Sequence, residues 1–257
     1  MSSLALRSLL LGLLAAPNMA PTAADPFRVS VNEQIKLGQQ VASQIRRQYH
    51  TLPASDDRVK VLRRIGRRIL STFPDSETWQ YSFDVIEDKQ VNAFALPGGP
   101  TFFYTGLISK LRTEDEIAGI LGHELTHVRQ QHWARMYAAA QKRQLFMTAA
   151  LIFLRVNYTG AQLADLANNL MVLGYSRGDE AAADQGGFEN SVNAGFNPQG
   201  LADAFEMLDK LGGHAPEFLS DHPSDTKRVR HIEDDIKKSG KSFPAQKPLP
   251  WADFKGP

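Results

Sequence analysis

Two histidines four residues apart, His123 and His127, bracket Glu124 in the run His123-Glu124-Leu125-Thr126-His127. On a helix that spacing sets both imidazoles on one face, about one turn apart, where they reach a single metal ion. Glu124 projects beside them. Two imidazoles and a carboxylate suit zinc, which takes nitrogen and oxygen ligands. Ile120, Leu121, Leu125 and Val128 surround the motif with apolar residues, so the histidines lie on or near a buried face, and buried imidazoles need partners that a metal supplies. A catalytic zinc takes a third protein ligand and keeps one position for water. The segment Tyr175-Ser176-Arg177-Gly178-Asp179-Glu180-Ala181-Ala182-Ala183-Asp184 offers that ligand. Glu180 and Asp184 share a helical face, with Glu180 as ligand and Asp184 as the carboxylate behind a liganding histidine, fixing its tautomer. Asp179 competes with Glu180 but has no acid four residues on. Ala181, Ala182 and Ala183 would let this second helix approach the first. The chemistry of such a set is hydrolysis by zinc-activated water.

These residues need helices to present them. Apolar Ile35, Leu37, Val41 and Ile45 predict a helix from Val31 to Tyr49, and the pattern after Pro53 and the capping candidate Ser55 predicts another from Asp56 to Ser71. Trp79, Tyr81, Phe83 and Val85 alternate with polar residues and read as a strand. Val91 to Leu96 reads as a second, stopped by Pro97-Gly98-Gly99-Pro100, and Thr101 to Tyr104 is short enough to add a third. Thr113 with Glu116 forms a capping box that starts the motif helix, expected to run towards Met136. Further helices are expected over 163–173, 176–193, 198–211 and from Ser224 or Asp225 to Lys238, with an irregular tail after Phe243. The fold class is therefore α+β, mostly helical with a small inserted sheet.

The chain has 257 residues, with 29 Lys and Arg against 28 Asp and Glu, and so lacks the basic excess of a nucleic-acid partner. The cluster Lys60, Arg63, Arg64, Arg67 and Arg68 alternates with apolar residues and reads as a solvated helix face. No cysteine is present, which excludes disulfides, thiolate metal sites and a cysteine nucleophile. A structural zinc site, usually cysteine-rich and closed, fits poorly. Arg7, the apolar run from Leu9 to Ala16 and small residues at Ala20, Ala23 and Ala24 have the layout of a secretory signal peptide. Residues 1–24 are expected to be that peptide, cut after Ala20 or Ala24, and 25–257 a single exported domain. The apolar run 145–154 is half a membrane span and is a candidate for peripheral membrane contact.

The motif His123 to His127, preceded by Leu121-Gly122 and followed by Tyr175-Ser176-Arg177, Glu180 and Asp184, resembles the gluzincin family of HtpX, BepA, LoiP and the CAAX prenyl endopeptidase. Asn92-Ala93-Phe94-Ala95-Leu96-Pro97-Gly98-Gly99 resembles that family's edge strand, and His222-Pro223 followed by Arg228 resembles its C-terminal loop. The match spans about residues 30–238 and is nearest the single-domain periplasmic members. It implies a zincin-like fold, with His123, His127 and Glu180 on zinc and Glu124 as general base. It also implies His222 and Arg228 near the substrate carbonyl, and Asn92, Ala93, Phe94 and Ala95 pairing with an extended substrate. In some relatives the loop histidine fills the open metal position and holds the enzyme latent. The implied activity is endopeptidase cleavage of misfolded or unfolded envelope proteins in the periplasm. A chaperone that binds such proteins without turnover is the competing reading. The intact Glu124 favours the enzyme, because a pure binder has no use for a general base.

Overall fold

The structure, a computed structural model, describes residues 27–145, 175–211, 218, 222 and 226–252. The expected signal peptide, the apolar run from 146 onward and the helix expected over 163–173 lie outside them. Helix α1 spans Val31–Gln48 and starts on a Ser30–Glu33 capping box. Helix α2 spans Asp57–Leu70 and is capped by Asp56, which accepts from Arg58 N, rather than by Ser55. Strands β1 (Ser82–Ile86), β2 (Ala93–Ala95) and β3 (Pro100–Tyr104) follow. Then come the one-turn helix α3 (Thr105–Ile108), α4 (Glu114–Arg129), α5 (His132–Leu145), α6 (Arg177–Asn193), α7 (Gln199–Lys210) and α8 (Thr226–Ser239).

The sheet order is β1-β3-β2, with β1 parallel and β2 antiparallel to β3. The third strand, expected only as an optional addition, is the central one and is buried on both faces. On one face Phe83, Val85 and Phe103 join the larger core beneath α2 and α4. On the other, Phe94, Phe102 and Tyr104 pack with Leu37, Val41 and Ile45 of α1. The turn between β2 and β3 needs glycine. Gly98 has φ 85°, and a Cβ there would approach the α1 backbone at Gln34 O to 2.8 Å.

Helix α4 is the hub. Every residue from Glu114 to Val128 is buried, because α2, β2, α5, α6 and α7 surround it. Its N-terminus carries the expected Thr113–Glu116 capping box. The strap that follows α8 covers this end: Glu114 N donates to Lys247 O and Leu249 N to Arg112 O, at 2.8 Å each.

The motif helix does not continue to Met136. It stops at Arg129, and Gln131 takes a left-handed φ of 54° before α5 begins at His132. Of the three alanines expected to let α6 approach α4, Ala181 is exposed and Ala182 half-buried, while Ala183 is buried and the close approach falls one turn beyond it. There Gly187 comes within 3.3 Å of where a Gly122 Cβ would stand. Asn190 Nδ2 seals the crossing by donating to Gly122 O at 3.0 Å and Thr126 Oγ1 at 3.2 Å.

Candidate metal and catalytic site

Helix α4 aims His123 and His127 at a common point, and α6 answers from its first turn. Ser176 caps α6 by accepting from Asp179 N, which turns Glu180 inward and Asp179 outward. Asp179 is taken by Arg135 Nη2 and Ser176 Oγ, both at 2.7 Å. It does not reach the histidines of the motif, so Glu180 is the carboxylate that does. His222 enters from the segment before α8. The ligand atoms of His123, His127, Glu180 and His222, all buried, lie within 4.8 Å of one another.

His123 Nε2 lies 3.0 Å from His127 Nε2 and 3.2 Å from His222 Nδ1. Glu180 Oε1 is 3.0 Å from His222 Nδ1 and 3.6 Å from His127 Nε2, and Glu180 Oε2 is 3.7 Å from His123 Nε2. Four ligands at 2.0–2.1 Å around a tetrahedral zinc stand about 3.4 Å apart. The donor set and its spacing therefore fit zinc. So does Glu124. Its Oε2 accepts from Ala95 N at 3.0 Å, while its buried Oε1 has no hydrogen-bond partner and lies 3.4 Å from His222 Nε2.

Around this cluster sits a ring of supports. Asp184 Oδ1 meets His123 Nδ1 at 3.0 Å, so Asp184 backs a candidate metal-binding histidine as its spacing implied. Arg228 grips Asp184 with both arms, Nε at 2.7 Å and Nη2 at 2.6 Å. Its Nη2 also lies 3.1 Å from Glu180 Oε2, close enough for ionic attraction but not aligned for a hydrogen bond. Arg228 thus faces the two carboxylates of α6. Phe218 stacks on His222 at 4.6 Å, and Tyr175 stacks on His127 at 3.9 Å.

The electrostatics follow from burial and pairing. Burial raises the Glu124 carboxyl above its ordinary range, against the pull of His222 and His123. Burial also pushes at Asp184, but hydrogen bonds from Arg228 and His123 outweigh it and hold that carboxyl low. Burial, then neighbouring His123 and His222, lowers His127. These directions describe side chains packed as a charge-compensated set.

Of the strand residues, Asn92, Ala93 and Phe94 are buried. The Phe94 ring stacks on Phe102 at 5.4 Å, so its side chain belongs to the core. Tyr104 N donates to Asn92 O and Leu96 N to Pro100 O, so alternate residues of β2 pair with β3 and Ala93 and Ala95 turn their backbone groups the other way. That second edge carries the Ala95–Glu124 bond.

His132 escaped the sequence reading. It is fully buried, and its Nδ1 lies 2.7 Å from His127 Nδ1. A third histidine five residues after the second was the available signal. On one continuous helix it would point about 140° away from His127, so it carried no weight until the chain was seen to break at Gln131.

Fold and site together have the make-up of a metallohydrolase, in which one helix supplies two histidines and a carboxylate and a second helix a further carboxylate. Comparison with known proteins gives the family. The profile described as Peptidase family M48 matches residues 40–236. The metalloprotease YcaL of Escherichia coli is 33% identical over 187 residues, covering 71% of this chain and 69% of that protein. The mitochondrial metalloendopeptidase OMA1 of Schizosaccharomyces pombe is 30% identical over 213 residues, covering 80% of this chain and 62% of that protein. A beta-barrel assembly-enhancing protease of Escherichia coli is 26% identical over 226 residues, covering 83% of this chain and 45% of that protein. The chain spans from under half to about two-thirds of the length of these relatives. It belongs to peptidase family M48, a family of zinc metallopeptidases.

Proposed function

We propose that this chain is an exported zinc endopeptidase that cleaves unfolded or misfolded polypeptides of the cell envelope. The observation that carries the hydrolytic part is the buried Glu124 beside the four-donor cluster, with one carboxylate oxygen held by Ala95 N and the other unpartnered. Zinc held by His123, His127 and Glu180 would supply a Lewis acid and a water acidified to near neutral pH. Glu124 takes the proton, its carboxyl raised by burial towards the working range of a general base. It then passes that proton to the leaving amine. The outer edge of β2 offers the carbonyls of Ala93 and Ala95 to an extended peptide added as a strand, while their N–H groups stay on Asn92 Oδ1 and Glu124 Oε2. His222, whose Nδ1 lies 3.2 Å from His123 Nε2 and 3.0 Å from Glu180 Oε1, would hold the metal with the other three residues at rest and move aside when substrate enters. Arg228 keeps Asp184 ionised and in place behind His123, which makes it a positioning residue.

The envelope assignment rests on the signal-like layout of residues 1–24 and on the beta-barrel assembly-enhancing relatives. Among the described residues no helix is long and apolar enough to cross a membrane. Two experiments test the reading. The purified chain should cleave a denatured outer-membrane protein at least tenfold faster than its folded form, with loss on chelation and recovery on adding zinc. The N-terminus of protein taken from an envelope fraction should begin just after Ala20 or Ala24. Stoichiometric binding of denatured protein without cleavage would favour the chaperone reading instead.

A further inference from the structure

We propose that His132 is a positioning residue for the metal site: a neutral imidazole that accepts the Nδ1–H of His127 and so fixes that ligand's tautomer and ring direction. The inference rests on the zinc reading above.

His127 Nε2 is one of the converging atoms, 3.0 Å from His123 Nε2. To offer a lone pair there, His127 must carry its single proton on Nδ1. That nitrogen lies 2.7 Å from Nδ1 of His132, and both rings are buried. The His132 nitrogen must then be the acceptor, which leaves the proton of His132 on Nε2. An acceptor waits for it: Gln130 Oε1 lies 3.1 Å away, and Asp179 Oδ1 stands farther off at 3.7 Å. Each proton has one donor and one acceptor, and only this pair of tautomers satisfies every contact. The backbone is shaped for it. Gln131 turns left-handed at φ 54°, a conformation a side chain rarely adopts, and brings His132 back beneath His127 at the first position of α5.

The two histidines of α4 are therefore supported differently. His123 leans on a carboxylate, Asp184, and His127 on an imidazole. Partners that orient metal-binding histidines typically matter by roughly 10–100-fold in metal affinity.

The experiment measures zinc affinity by competition with a chromophoric chelator, beside the visible spectrum of the cobalt-substituted protein. His132→Phe keeps the ring volume and removes both nitrogens. It should weaken zinc binding at least tenfold and shift the cobalt bands. His132→Asn places an amide oxygen near the position of Nδ1 and should recover affinity to within about threefold of wild type. Equal affinity in wild type and His132→Phe would overturn the proposal while leaving the zinc reading intact. A wild-type chain that takes up no zinc would defeat the zinc reading itself. Long-range proton–nitrogen NMR of the zinc-loaded wild type needs no variant and reads the tautomers directly. His127 protonated on Nδ1 with His132 protonated on Nε2 supports the proposal, and a proton on Nδ1 of His132 overturns it.

Discussion

Replacing Arg228 by methionine should be among the most destabilising single changes in the site, before any metal is considered. Arg228 is 9% exposed, and the carboxylates it faces, Asp184 and Glu180, are 6% and 4% exposed. Its bonds to Asp184 are 2.7 and 2.6 Å long, and it stands 3.1 Å from Glu180. Methionine preserves contact with the Phe205 ring, over which the guanidinium now sits at 4.4 Å, so packing loss is small. What remains is a buried carboxylate stripped of its cation. Breaking a buried pair in this way costs about 3–5 kcal/mol, and for a domain of this size that corresponds to a fall in Tm of roughly 6–20 °C. Urea melts of the metal-free protein measure it without interference from zinc. A double-mutant cycle with Asp184→Asn should give a coupling energy above about 1 kcal/mol, since the two residues share one hydrogen-bonded network. A loss below about 1 kcal/mol, the range of surface pairs, would refute the claim that Arg228 holds these carboxylates.

Three further outcomes are expected. Gly119→Ala places a Cβ 2.7 Å from Leu201 Cα at the α4–α7 crossing, and should cost about 1–3 kcal/mol by overpacking in a thermal melt. Burial raises the buried Glu114 carboxyl, but Arg64 and Lys247, each at 2.7 Å, hold it below its ordinary value. A depressed folded value contributes stability that is present above the unfolded value of about 4.3 and fades as pH falls through the folded one. The stability gap between wild type and Arg64→Met should therefore be widest above about pH 5 and narrow progressively as pH falls below the unfolded value. His222→Ala removes one of the four converging donors and should speed cleavage of denatured casein several-fold at equal zinc content. A slower variant would place His222 in stabilising the transition state instead.

The parts of the site that were legible in the sequence are those written at helical spacing. His123, His127, Glu180 and Asp184 each lie one turn from a partner on the same helix, and the fold leaves such local geometry intact. Capping was equally readable, as at Thr113 and Glu116. What escaped depended on contacts between distant segments. The central place of β3 comes from pairing parallel to β1 and antiparallel to β2, which alternation along one strand does not encode. The grip of Arg228 on Asp184 crosses 44 residues. The seat of His132 depends on a break in apolar periodicity that has no proline or glycine to mark it, only Gln131 in a conformation rare for its type. Of the alanine run expected to admit the crossing of α6 on α4, only Ala183 is buried, and Gly186 and Gly187 further along the helix stand against Thr126 and Gly122.

The most direct test of the central claim compares wild type with Glu124→Gln, each loaded with zinc and assayed on denatured casein, with bound metal counted in the same samples. The amide keeps the side chain's shape and its acceptor for Ala95 N but cannot take a proton. Both proteins should bind about one zinc per chain, and the variant should be slower by 10²–10⁴-fold, the usual contribution of a general acid–base group. Cleavage by the variant at the wild-type rate would contradict the account.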